Sequence, residues 1–124
     1  MSGYWKNNWD KRNKIAQLSD KLIHRKMKEL GYELIRPATN GEDRRDKWDF
    51  LYVKDGVEEK VDHKTCLGVQ ESHRVLWEAG KLKVTKYARW FRHEFTLYDA
   101  ERFWSHHNLQ TGLNPGHERF YYII

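Results

Sequence analysis

One stretch limits the fold of this chain more than any other: Asp49-Phe-Leu-Tyr-Val-Lys-Asp-Gly-Val-Glu-Glu-Lys-Val-Asp62-His-Lys64. Two hydrophobic-rich runs flank Asp55-Gly56, a dipeptide that favours a two-residue type I′ turn because both central residues need positive φ. With that turn Lys54 pairs with Val57, and counting outward sets Asp49 opposite Asp62. Directly opposed residues hold their side chains about 4.5–5.5 Å apart on one face. Lys64 lies two residues beyond Asp62 and shares its face. Alternation groups Trp48, Phe50, Val61 and His63 on one side. Asp49, Leu51, Val53, Asp62 and Lys64 fall on the other.

Two carboxylates and an ammonium in one place have a definite chemistry. Two acids this close raise the pKa of one of them, and a partly apolar sheet face makes the pair costly unless a positive charge neutralises it. A divalent cation such as Mg²⁺, or Mn²⁺ in its place, does so, since it takes oxygen ligands and keeps several waters. Such an ion polarises a scissile phosphate and acidifies a bound water. Lys64 would orient or deprotonate that water, or neutralise charge developing on phosphate. A competing reading makes the three residues a surface ion-pair cluster. Glu58-Glu59-Lys60 repeats the acid–spacer–lysine pattern, but there Glu58 faces Val53 near the turn, away from Asp49.

The chain has 124 residues, which suggests a single domain, 1–124. Ile15, Leu18, Leu22, Ile23, Met27 and Leu30 recur at helical spacing and predict a helix over 14–30, stopped by Gly31. Residues 1–13, with Tyr4, Trp5 and Trp9, read as an N-terminal arm. A first strand is expected at 32–35, a polar loop at 38–46, the hairpin at 47–65 and a short helix at 70–79. A strand follows from Phe91, and Asp99 has the character of an N-cap for a helix through His107. Asn108 to Gly116 reads as loop and Phe120 to Ile124 as a terminal strand or packed tail. The order helix, strand, hairpin, helix, strand, helix predicts an α/β (α+β) fold, a central mixed β-sheet flanked by helices.

Lys plus Arg number 23 against 18 Asp plus Glu, a formal net charge of +5. That balance favours a nucleic-acid partner. Arg44, Arg45 and Lys47 stand just before Asp49, where they could grip a backbone. Lys86, Arg89 and Arg92 interleave with Tyr87 and Trp90, residue types that follow phosphates and stack on bases, although a strand with core aromatics and solvated cations has the same pattern. The lone cysteine, Cys66, excludes an internal disulfide and suits a reducing compartment. No apolar run reaches membrane-span length and the first residues lack a signal-peptide core, so a cytoplasmic protein without a membrane partner is expected. Scattered histidines with one cysteine make a poor zinc pattern. No serine-hydrolase elbow or glycine-rich phosphate loop is present.

The run from the first helix through the Gly31-Tyr32 turn, Trp48-Asp49-Phe50 and Val61-Asp62-His63-Lys64-Thr65 resembles the PD-(D/E)xK nuclease superfamily. Holliday-junction resolvases and restriction endonucleases belong to it. The likeness covers roughly residues 14–78. It implies a restriction-endonuclease-like core and Mg²⁺-dependent cleavage of DNA, less often of RNA. Asp49 and Asp62 would be metal ligands and Lys64 the catalytic lysine. Asp20 stands where many members carry a Glu on the first helix that completes the metal site, so it would be the third carboxylate on the ion, and Gln70 stands where some place an active-site Gln. Trp48 replaces the motif proline, and the second acid is Asp rather than the commoner Glu. A homodimer would supply the two sites that cutting both strands needs. The alternative is a non-catalytic nucleic-acid binder, or an inhibitor of a host enzyme, on the same fold.

Overall fold

The computed structural model describes the backbone of residues 2–65 and 71–109, and the side chains of residues 11, 14–65 and 71–105. The elements are α1 (Ser2–Glu29), β1 (Glu33–Pro37), a π-helical turn (Glu42–Asp46), β2 (Phe50–Lys54), β3 (Val57–Lys64), α2 (Glu71–Glu78), β4 (Lys86–Phe91), β5 (Glu94–Asp99) and α3 (Ala100–Leu109). They form an α+β fold around a five-stranded mixed sheet of order β1-β2-β3-β4-β5. Neighbouring strands are antiparallel except β3 and β4, which run parallel. A parallel pair needs a crossover connection, and α2 lies within it.

Helices cover both faces of the sheet. On one, Ile23 and Met27 of α1, four residues apart, are fully buried against Tyr32, Tyr52, Val61, Ala88 and Leu97. On the other, Trp48, Leu51, Val84, Tyr87 and Tyr98 pack with Ala100, Phe103 and Trp104 at the start of α3, and Trp77 of α2 closes against them.

Local sequence explains most of the junctions. Gly31, at φ 93°, ends α1, and Tyr32 N–H bonds back to Met27 O at 3.0 Å, as a left-handed helix stop does. Asp55 and Gly56 have φ 52° and 78°, the positive values a type I′ turn requires. The ladder from Lys54↔Val57 to Phe50↔Val61 follows the expected register. Asp99 Oδ2 accepts the Arg102 N–H at 3.0 Å and caps α3.

Four expectations are corrected. The first helix starts at Ser2 rather than 14, so helical backbone runs through the stretch read as an arm. The first strand continues to Pro37, which an edge strand tolerates because it need not donate outward. Residues 86–99 form a second hairpin instead of one strand beginning at Phe91, turning at Arg92 (φ 51°) and His93 (φ 62°). The order is therefore helix, strand, hairpin, helix, hairpin, helix. Trp48 sits with Leu51, not with Phe50. Lys47 is left-handed at φ 68°, and Asp49 N–H goes to Val61 O at 2.9 Å, the residue already paired with Phe50. This bulge interrupts the alternation on which the Trp48 assignment relied. Cys66, Gln70 and residues 110–124 lie outside the described residues. Among the described residues no helix is long and apolar enough to cross a membrane.

Candidate active site

Asp49 enters β2 while Asp62 and Lys64 leave β3, so the antiparallel pairing brings all three to one end of the sheet. The Asp49 and Asp62 carboxyls hydrogen-bond each other. Asp49 Oδ2 also accepts the His63 backbone N–H at 2.8 Å. Lys64 Nζ lies 2.8 Å from Asp62 Oδ2, and the two side chains are only 13% and 8% exposed. The ion pair of the competing reading is present, but it is buried rather than set on an exposed sheet face.

Burial sets the electrostatics. It pushes the Asp49 carboxyl up to about 8, and the hydrogen bond and charge of Asp62 push the same way, against the opposing pull of His63. Burial raises Asp62 as well, while Asp49 and Lys64 favour its charged form. At neutral pH the two carboxyls therefore share one proton, and its titration belongs to the pair. Asp62 Oδ2 is buried and has no well-formed hydrogen bond; Lys64 Nζ meets it as an ion contact at 2.8 Å. Two buried carboxyls that must share a proton, with only an ammonium contact on Asp62 Oδ2, are a donor set suited to a hard cation.

Asp20, the third expected carboxylate, faces the same open cavity of about 370 Å³ as Asp49, together with Asp43, Phe50, His63 and Thr65. It does not join the acid pair. Its Oδ1 accepts from His63 Nδ1 at 2.9 Å, His63 Nε2 meets the Tyr52 hydroxyl at 3.0 Å, and that hydroxyl meets His24 Nδ1 at 2.5 Å. Burial, then the neighbouring His63, lowers the pKa of His24. Among the described residues no group of three or more His, Cys, Asp or Glu is arranged to hold a metal ion. Two carboxylates are enough for Mg²⁺, which keeps several waters. The Asp20–His63–Tyr52–His24 chain escaped sequence reasoning, although strand parity placed His63 beside Phe50.

A second unforeseen chain reaches the acids from the other face. Trp104 Nε1 donates to the Tyr87 hydroxyl at 3.0 Å, which also meets His73 Nδ1 at 3.0 Å. His73 Nε2 lies 3.8 Å from Asp62 Oδ2. Burial first, then Lys64 and Lys47, depress His73 to about 4, so its ring is neutral near pH 7. Its position on α2 carried no signal in the sequence, because its partners come from β4 and α3.

The cations divide into two groups. Arg44 and Arg45 stand exposed in the π-helical turn, with Arg45 Nε 3.2 Å from Asp46, and Lys47 follows, partly buried. Arg89 pairs with Lys64 in the parallel ladder, its guanidinium 5.1 Å from the Tyr98 ring centre. Arg92 sits in the β4–β5 turn, 5.1 Å from the Phe91 ring. All five lie at the sheet end that holds Asp49 and Lys64. Lys86 is at the opposite end of β4, its Nζ 3.1 Å from Asp99 Oδ1, so it stands apart from them. No family model matches the chain, and comparison with curated proteins and with solved structures gives no match.

Proposed function

We propose that this protein is a Mg²⁺-dependent nuclease that hydrolyses phosphodiester bonds of DNA at Asp49, Asp62 and Lys64, on a restriction-endonuclease-like core. The observation that carries the reading is the buried, proton-sharing acid pair with an ammonium 2.8 Å from one of its oxygens. The element order, a helix, a strand, a hairpin and a crossover helix into a parallel strand, agrees with the resemblance drawn from the sequence.

Asp49 and Asp62 would hold the ion. When bound, it supplies Lewis-acid polarisation of the phosphate and an acidified water. Asp49 must release its shared proton to become a ligand. His63 N–H keeps Asp49 Oδ2 aimed at the pair. Lys64 presents ammonium donors that orient the attacking water and neutralise charge building on phosphate. Arg44, Arg45, Lys47, Arg89 and Arg92 are suited to the nucleic-acid backbone on either side. Two copies would serve the two strands of a duplex.

The second reading is a binding protein without catalysis on the same fold. Asp20 favours it, because that carboxylate is committed to His63 rather than to the acid pair. Incubation with plasmid, branched DNA and RNA under Mg²⁺ or Mn²⁺ separates the two. The nuclease reading expects cleavage by wild type and its loss in Asp62→Ala. Binding without cleavage favours the second reading, and unchanged cleavage by Asp62→Ala removes the first as stated.

A further inference from the structure

We propose that His73 is a positioning residue for Asp62, held in one tautomer by Tyr87 and Trp104 so that its Nε2–H faces the acid; the proposal rests on the cation-binding reading of Asp49 and Asp62. The direction of every proton in the chain follows from what each group can do. An indole N–H only donates, so the Trp104 Nε1–H bond of 3.0 Å makes the Tyr87 oxygen an acceptor. Tyr87 is 1% exposed, and a buried hydroxyl left without an acceptor is costly. The neighbour facing it is His73 Nδ1, at 3.0 Å. Nδ1 therefore accepts, and the ring proton resides on Nε2.

Nε2 points at Asp62 Oδ2 across 3.8 Å, the same buried oxygen that has no well-formed hydrogen bond. An approach of under about 1 Å would bring that pair within hydrogen-bond range. His73 and Lys64 then hold Oδ2 from two sides, and the carboxylate is kept from rotating away from Asp49. The chain joins residues of α2, β4 and α3 to an acid on β3. Groups that orient a ligand without touching the ion commonly contribute about 10–100-fold in metal affinity.

The test combines ¹⁵N NMR of the imidazole with calorimetric titration of Mn²⁺ into metal-free protein. Wild type should show His73 protonated at Nε2 and bare at Nδ1. Tyr87→Phe, which removes the donor that fixes Nδ1 while keeping the ring beside Asp62 in the ladder, should release the tautomer and weaken Mn²⁺ binding. His73→Phe should weaken Mn²⁺ about 10–100-fold, and His73→Gln, which restores an amide N–H, should recover most of that loss. Thermal melting identifies any variant that fails to fold, in which case the wild-type tautomer and the Gln variant decide. A His73 protonated at Nδ1, or Mn²⁺ affinity unchanged in His73→Phe while wild type binds, overturns this proposal alone. Absence of Mn²⁺ binding by wild type overturns the cation-site reading and this proposal with it.

Discussion

The Asp49–Asp62 pair holds a proton at neutral pH, because burial and the neighbouring acid push the Asp49 carboxyl up to about 8. The unfolded chain, with an ordinary value near 3.8, has lost that proton. From about pH 4 to 8 the folded state thus binds more protons than the unfolded state, and stability falls as pH rises. His73, depressed from 6.5 to about 4, acts in the opposite sense: its contribution is complete above pH 6.5 and is lost as pH falls towards 4. The two oppose each other below pH 6.5, and above it the Asp49 contribution remains. Melting curves in chelator should therefore show Tm falling from pH 6.5 to 8 in wild type and a flatter profile in Asp49→Asn. A profile of equal slope in both would mean that the acid pair does not hold the proton. Lys64 gives a second test at this scale. Removing one partner of a buried ion pair costs about 3–5 kcal/mol, so Lys64→Met should lose roughly that much in urea unfolding. Its cleavage rate should fall about 10²–10³-fold if its ammonium stabilises charge building on the phosphate.

Among the elements, the two hairpins differ in how much of them could be read beforehand. Asp55-Gly56 announced its turn because that dipeptide accepts positive φ at both positions, and the register from Lys54↔Val57 to Phe50↔Val61 followed. Arg92-His93 makes a turn with the same sign of φ but from residues that do not favour it; pairing of β4 with β5 imposes the conformation. The bulge at Asp49 was equally hidden, since it depends on where one backbone N–H goes. His73 could not be connected with Asp62 at all, because their contact exists only once α2 packs on the sheet. A consequence follows for the second turn. His93→Gly removes the cost of a side chain in left-handed backbone and should stabilise the protein by about 0.5–1 kcal/mol in denaturant melts. At Gly56, where an added Cβ meets nothing within 4 Å, Gly56→Ala should cost about 1 kcal/mol through φ alone.

Across the whole molecule, one end of the sheet gathers the acid pair, Lys64 and the cations Arg44, Arg45, Lys47, Arg89 and Arg92, while Lys86 lies at the other end with Asp99. A nucleic-acid backbone crossing that end would release counterions from each phosphate contacted. Titrations of DNA at several salt concentrations should show the log–log salt slope falling by about 1 for Arg92→Ala, with Lys86→Ala leaving it unchanged. Equal effects of the two would mean that DNA does not follow the acid end. Whether Asp49 and Asp62 share a cation is tested most directly by the anomalous signal of a Mn²⁺-soaked crystal at a pH above 8. The expected result is a peak within bonding distance of both carboxylates. A peak confined to Asp20 and His63, or none at saturating Mn²⁺, would contradict it.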